Sequence, residues 1–112
     1  MRQTGRTTRM LLRAATFVSK RWQQKGKAIV TVVGSNERTA DRLQAQFCSI
    51  LGNPSKQQRG LLLYGKVRVA FMGKSRFYNP NRLMGIRKEE IVYFDHDVVL
   101  QSTGDVDIAV IY

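Results

Sequence analysis

The sequence predicts a single α/β domain over residues 1–112, a small three-layer fold around a mostly parallel sheet. Three segments carry this prediction: an amphipathic N-terminal segment, an almost uninterrupted apolar run over 27–33, and a second amphipathic segment over 37–51. A continuous apolar strand rich in β-branched residues is typical of a parallel strand that helices cover on both faces. At 112 residues and 43% apolar, the chain is large enough to bury its own core.

The first helix is predicted over 7–24 from its apolar periodicity. Its apolar residues recur at spacings of four, three and four positions: Leu11, Ala15, Val18 and Trp22. Residues at these spacings share one face of an α-helix. Gly26 is expected to end this helix, because glycine commonly stands just after the last helical residue. The strand over 27–33 follows directly.

The second helix is predicted over 37–51, with Ser35 or Asn36 as its N-cap. Residues 53–60 and 73–82 are expected to form polar loops. Later strands are predicted from short apolar or alternating runs, over 66–72, 91–94 and 106–112, while residues 61–64 form a short apolar run. The alternation of helix and strand in the first half of the chain is the pattern of the α/β class.

Charge divides the chain into two unequal parts. Residues 1–88 contain all 19 lysines and arginines but only two acids, whereas residues 89–112 contain six acids and no base. The formal net charge is +11. Such a field favours a polyanionic partner, either nucleic acid, an acidic protein surface or anionic lipid. A basic surface without such a partner is the alternative. No apolar run approaches the ~20 residues of a membrane span, so no membrane insertion is expected.

The stretch from Thr4 to Met10 is typical of a phosphate-binding loop that leads into a helix. Arg6 stands where such loops usually hold lysine, and two threonines follow it. Backbone amides at a helix start, together with the helix dipole, favour an anion. The predicted phosphate-binding residues are Gly5, Arg6, Thr7, Thr8 and Arg9. The alternatives are a simple helix cap formed by Thr4 or Thr7, or the acid-poor composition of a mitochondrial presequence.

A second candidate site follows the apolar run over 91–94. The run ends at Asp95, and an aspartate at this position can organise Mg²⁺ beside a phosphate. Asp95 is therefore a candidate Mg²⁺ ligand, with Asp97 as a second acid. The alternative is an acid that binds the amides of the following turn. His96 has no second histidine or cysteine at ligand spacing, so a zinc site is not expected, although a role as general base stays open.

Residues 73–82 combine cations, which pair with phosphates, and aromatic rings, which can stack on bases. The segment Gly73-Lys74-Ser75 also resembles a phosphate loop, but the first glycine of that pattern is missing. The predicted nucleic-acid contacts come from this segment and from the first helix: Arg13, Lys20, Lys74, Arg76, Tyr78 and Arg82. The alternative for the rings, strongest for Phe77, is that they anchor the loop to the core.

Taken together, these segments resemble small bacteriophage-encoded proteins with a degenerate P-loop NTPase domain. The N-terminal stretch 4–10 followed by 26–33 is similar to a phosphate loop, its helix and the next strand. The stretch 32–43 is similar to the helicase-type segment after that loop. Residues 81–87 before 91–95 are similar to the approach to the Walker B strand in terminase- and helicase-like ATPases. The resemblance implies a reduced RecA-like sheet that lacks the usual first strand.

The chain departs from this family's pattern in ways that disfavour efficient catalysis. Arg6 replaces the Walker lysine, the first glycine of the loop is absent, and no acid directly follows Asp95. Arginine keeps the charge of lysine, but its planar group is bulkier, so the two are not interchangeable around phosphates. These departures from the family's pattern therefore favour a binding protein over an efficient NTPase.

The function predicted from the sequence is that of a basic phage accessory protein that binds nucleic acid in the host cytoplasm and requires no cofactor. The first alternative is a nucleotide-binding protein or weak NTPase that uses Mg²⁺. The second is a small effector that binds an acidic host protein. The apolar C-terminal strand, 107–112, is expected either to fill the gap left by the missing strand or to pair with another copy in a homo-oligomer.

Overall fold

A computed structural model describes residues 4–79, 90–95, 98 and 109–111. The elements in chain order are α1 Thr4–Gln23, β1 Ala28–Gly34, α2 Glu37–Leu51, β2 Lys56–Gln58, β3 Leu61–Tyr64, β4 Val67–Gly73, α3 Lys74–Phe77, β5 Ile91–Phe94 and β6 Ala109–Ile111. The expected loop over 53–60 contains the short strand β2, and the expected loop over 73–82 begins with the one-turn helix α3.

The strands form a mixed sheet in the order β2-β3-β4-β1-β5-β6. Strands β4 and β5 pair in parallel with β1 on its two sides, and β6 pairs in parallel with β5. Strands β2, β3 and β4 are antiparallel neighbours. The α/β class is therefore confirmed, but the sheet is mixed, because short turns at 59–60 and 65–66 reverse the chain where a parallel strand would need a crossover.

The central strand β1 has buried residues on both faces, as its continuous apolar sequence predicts. On one face, Val30 and Val32 join a core cluster with α1 and α2. On the other face, Val33 packs in a second cluster that includes Phe77 of α3. Helices α1 and α2 therefore lie side by side on one face of the sheet, while α3 lies on the opposite face.

Helix α1 is strongly amphipathic. Leu11, Ala14 and Val18 have no exposed surface, whereas Arg9 and Lys20 are exposed. The helix begins at Thr4, three residues before the predicted start. Among the described residues, neither α1 nor any other helix is long and apolar enough to cross a membrane.

Tyr64 joins the two long helices to the sheet. Its fully buried ring meets Trp22 of α1 and Phe47 of α2 edge-to-face, with centroid distances of 5.2 and 6.0 Å. Its hydroxyl donates to the carbonyl oxygen of Gly52, 3.0 Å away, just after α2 ends. Burial raises the pKa of the Tyr64 hydroxyl above its usual value.

Gln44 of α2 holds the turn between β2 and β3 with two hydrogen bonds. Its Nε2 donates to the carbonyl oxygen of Gln58, and its Oε1 accepts from the amide of Gly60, each at 2.7 Å. The side chain is buried although it is polar. Both of its functional groups are thus satisfied, as a buried amide requires.

Helix α1 ends at Gln23, one residue before the predicted end at 24. Lys25, not Gly26, takes the left-handed conformation, with φ of 56°, and it has the only positive φ among described non-glycine residues. The amide of Gly26 donates to the carbonyl of Arg21 at 2.9 Å, and that of Lys25 donates to Trp22 at 3.0 Å. These bonds satisfy carbonyls in the last turn.

Replacing Lys25 with glycine is expected to stabilise the protein by about 1 kcal/mol, because glycine removes the clash that a Cβ meets at positive φ. The free energy of unfolding from urea titration measures the effect. Lys27→Gly is the matched control, since it removes the same charge from an exposed residue without a positive φ. A Lys25→Gly variant no more stable than Lys27→Gly would contradict the assignment.

Candidate functional site

The carboxyl ends of three parallel strands meet at one edge of the sheet. Gly34 at the end of β1 is in register with Gly73 at the end of β4. On the other side of β1, Asp95 follows β5, and its amide donates to the carbonyl oxygen of Val33 at 2.9 Å. From β1 the chain continues through α2, β2 and β3 to β4, which lies on one side of β1. It later reaches β5, which lies on the other side. Such a change of side is where ligands bind in open α/β sheets.

The first turn of α1 reaches this same edge. The Thr7 hydroxyl donates to Oδ1 of Asp95 across 2.8 Å, and the two residues are 88 positions apart in the chain. Asp95 is only 4% exposed, and Thr7 is half-buried. The structure thus brings together two residues that the sequence singled out separately, one for phosphate and one for Mg²⁺.

The start of α1 carries no acid of its own in its first turn. The first amides of a helix have no partner within the helix, and the helix dipole makes this end positive. The carboxylate of Asp95 lies against this positive end, held by Thr7. Gly5 lies within the first turn, because α1 begins at Thr4, so it does not form a separate turn before the helix. Arg9 lies further along the helix and is exposed.

The start of α2 lies at the same edge but is already occupied by its own side chains. Asn36 caps the helix by accepting from the amide of Thr39 at 2.8 Å. Oε2 of Glu37 accepts from the amide of Gly73 at 2.5 Å, and Oε1 lies 3.6 Å from the Arg76 guanidinium. The Asn36 side chain and the Glu37 carboxylate thus make contacts within the protein at this helix start. The start of α1 is the stronger candidate, because it joins the two motifs that the sequence predicts for phosphate and for Mg²⁺.

The predicted nucleic-acid contacts are divided between two faces of the sheet. Arg13 and Lys20 are exposed on α1, whereas Lys74, Arg76 and Tyr78 belong to α3 or directly follow it on the opposite face. Arg76 pairs with Glu37. Arg82 lies outside the described residues, as do His96 and Asp97. Among the described residues, the predicted contacts of α1 and those of α3 thus lie on opposite faces and do not form one surface.

The ring of Tyr78 is part of an aromatic cluster. It lies nearly parallel to Phe94, with an interplanar angle of 17° and centroids 6.4 Å apart. Phe77 meets both rings edge-to-face, at 5.0 and 5.4 Å. Phe77 is fully buried, which agrees with the alternative that it anchors this segment to the core. Tyr78 therefore packs within the protein instead of presenting an isolated stacking platform.

One buried polar contact was not anticipated from the sequence. The Thr31 hydroxyl donates to Oε2 of Glu90 at 2.5 Å, and both residues are buried. Thr31 is the one polar residue within the apolar run of β1, and this interruption is the only sequence signal for the contact. The bond connects the central strand to the residue before β5. Its position alternates with those of Val30 and Val32, so it belongs to the face opposite α1 and α2.

Comparisons of the chain with protein-family models, with curated proteins and with solved structures find no match. The function is therefore argued from this chain's own residues. The strongest argument is the contact between Thr7 and Asp95, because it places a hydroxyl, a carboxylate and a helix start at the carboxyl edge of a parallel sheet.

Proposed function

We propose that the protein binds a nucleoside triphosphate with Mg²⁺ where α1 begins beside Asp95. The hydrogen bond between Thr7 and Asp95 is the observation that carries this proposal. A hydroxyl from a helix start and an aspartate from the end of a parallel strand are the protein groups that hold Mg²⁺ in phosphate-loop proteins. The sequence motifs of both segments support the same assignment.

The residues at the site fit Mg²⁺ bound through a nucleotide better than Mg²⁺ bound by the protein alone. Within the described ranges, no group of three histidine, cysteine or acidic side chains gathers around one point. Mg²⁺ often uses one or two carboxylates, retains several waters and takes its other ligands from phosphates. Asp95 would supply the carboxylate and Thr7 the hydroxyl, while the amides of the first turn of α1 face the phosphates.

We propose binding without efficient turnover. Arg6 stands at the position of the lysine that phosphate loops use to contact the outer phosphates. A guanidinium pairs with phosphate through a planar fork, so it holds charge in a different geometry from an ammonium group. The Mg²⁺ would neutralise phosphate charge, and the chain's own groups would orient the nucleotide.

Isothermal titration with ATP and with GTP, each with and without Mg²⁺, tests the proposal. Asp95→Asn is expected to weaken binding of the Mg²⁺–nucleotide complex at least ~10-fold, because it removes the charge that faces the metal. Thr7→Val is expected to weaken it by a similar factor, and Thr7→Ser to retain binding. Thr16→Val is the control, since Thr16 is exposed on the same helix about two and a half turns away. A titration in which neither ATP nor GTP gives heat would contradict the proposal.

Binding of nucleic acid is a second proposed function, and the charge distribution supports it. The described helix α1 contains five basic residues and no acid. Neutralisation of nucleic-acid phosphates by such cations releases counterions, so the affinity should fall steeply with salt. This function does not require the Thr7–Asp95 site, and a nucleotide titration leaves it undecided.

A further inference from the structure

The outward surfaces of α1 and α2 form a basic layer over one face of the sheet. Arg9 and Lys20 of α1 are exposed on the same side of the helix, opposite the buried Leu11 and Val18. Arg38 and Arg42 are exposed one turn apart on α2, opposite the buried Leu43 and Phe47. We call this the outer helical surface and define it by these four cations: Arg9, Lys20, Arg38 and Arg42.

Acids of the two helices do not neutralise this surface. The described α1 contains no acid, and α2 contains two, Glu37 and Asp41. Glu37 accepts from Gly73 and lies beside Arg76, which directs it to the edge of the sheet. Asp41 pairs with Arg59 at 3.0 Å, on the side of α2 that faces the β2–β3 turn. Both acids of α2 thus pair away from the outer helical surface, whose positive charge favours a polyanion.

Each aromatic ring of α1 and α2 packs against another group of the protein. Trp22 is 38% exposed but packs edge-to-face on Tyr64, and Phe47 is fully buried. Phe17 is half-buried beneath the Arg21 guanidinium, which lies 5.4 Å from the ring centroid. Proteins that hold single strands usually stack bases on aromatic side chains. A surface made of cations, with no aromatic ring among its defining residues, instead matches the phosphate backbone of a duplex.

We propose that the outer helical surface binds the phosphate backbone of a double-stranded nucleic acid without reading its sequence. This inference rests on the second proposed function and adds to it the surface and the form of the nucleic acid. The surface lies along the length of the helices, whereas the Thr7–Asp95 site lies at the start of α1. One chain would then hold a nucleotide and a duplex through different parts of the same helix.

The test compares two variants that each lose two positive charges. Arg38→Gln/Arg42→Gln removes two cations from the outer helical surface. Lys56→Gln/Arg68→Gln is the matched control: both residues pair with Leu63 across neighbouring strands and are exposed. Paired residues share a face of the sheet, and Leu63 alternates with Leu62 and Tyr64 of the α1–α2 core. The control charges therefore lie on the opposite face.

Fluorescence anisotropy with a labelled DNA duplex, an RNA duplex and the single strand of each, at several salt concentrations, provides the measurement. Arg38→Gln/Arg42→Gln is expected to weaken duplex binding about 10-fold at low salt and to reduce the slope of log affinity against log salt by about 2. In the control, the loss of duplex affinity and the reduction in salt slope should each be less than half as large. Circular dichroism and the Mg²⁺–nucleotide titration should be unchanged in both variants.

Three outcomes would overturn the inference. Equal losses in the two variants would show that net charge alone matters and not the outer helical surface. Tighter binding of the single strand than of the duplex would contradict the assigned form of the nucleic acid. Absence of binding to every probe would refute nucleic-acid binding itself, and it would leave the nucleotide proposal to its own titration. Tighter binding of DNA or of RNA duplex identifies which of the two the surface prefers and supports the inference.

Discussion

Gly73→Ala is expected to lower the free energy of unfolding by about 3 kcal/mol. A Cβ at this position would lie 2.7 Å from the carbonyl carbon of Asn36 and from the amide nitrogen of Glu37, and 2.8 Å from Oε2 of Glu37. Two of these atoms belong to the backbone at the start of α2, so the helix itself would have to move. That movement would also disturb the bond from the Gly73 amide to Glu37.

Urea titration of the variant gives this loss as a shift in midpoint at constant slope. Gly26→Ala serves as the control, because a Cβ there meets its nearest atoms at an ordinary 3.7 Å and the residue has no positive φ. The control should change stability by less than about 0.5 kcal/mol. A Gly73→Ala protein as stable as the control would show that α2 can shift away from β4 at little cost.

Tyr64→Ala is expected to cost about 4 kcal/mol, similar to other losses of a buried aromatic side chain. The ring fills the space between Trp22 and Phe47, so its removal leaves a cavity where both helices meet the sheet. Tyr64→Phe keeps the ring and loses the bond to Gly52, and it should cost only about 1 kcal/mol. Thermal or urea unfolding of the two variants separates the ring from the hydroxyl.

Comparing the stability of the unaltered protein with that of Tyr64→Phe at several pH values tests the raised pKa of Tyr64. In the folded protein burial keeps this hydroxyl protonated, whereas in the unfolded chain it ionises near its usual pKa of about 10. The unfolded state therefore binds fewer protons above pH ~10, and stability should fall as the pH rises through that range. Tyr64→Phe should show a shallower decline. Burial also raises the pKa of Tyr93, so part of the decline in stability should remain in this variant. Identical pH profiles would exclude Tyr64 as a source of the decline.

Periodicity in the sequence was sufficient to predict the elements that form the core. The continuous apolar run predicted β1, and the spacing of Ala40, Leu43 and Phe47 predicted α2 within its observed bounds. Strand β2 could not be found in this way, because Lys56-Gln57-Gln58 is polar and fully exposed at the edge of the sheet. Helix α3 has only one turn, too short for a helical period to show.

The candidate site could be predicted as two separate motifs but not as one contact. Local sequence identified Thr7 by the glycine and basic residue before it, and Asp95 by the apolar strand before it. Their separation of 88 residues means that only the order of strands in the sheet brings them together. The expected nucleic-acid contacts were divided for the same reason, since sequence spacing did not reveal that α1 and α3 lie on opposite faces.

Two roles were predicted for the C-terminal strand, pairing within the sheet of its own chain and pairing with another copy. The structure bears on the first. Strand β6 pairs in parallel with β5 of the same chain, with Ile91 opposite Ala109. This pairing agrees with a role for the strand within the sheet of its own chain. Assembly of a homo-oligomer through the same strand stays a prediction, and a solution mass measurement would test it.

The two hydrogen bonds of Gln44 have a consequence for how the edge strand finds its partner. A strand as short and polar as β2 has little side-chain burial to select one alignment against β3, and a shift by one residue would cost it little. Gln44 accepts from and donates to two backbone groups that flank Arg59, so it recognises a single position of the turn. The alignment of the outermost strands is thus supported by a side chain of α2, so loss of the Gln44 amide would weaken the edge of the sheet as well as the helix contact.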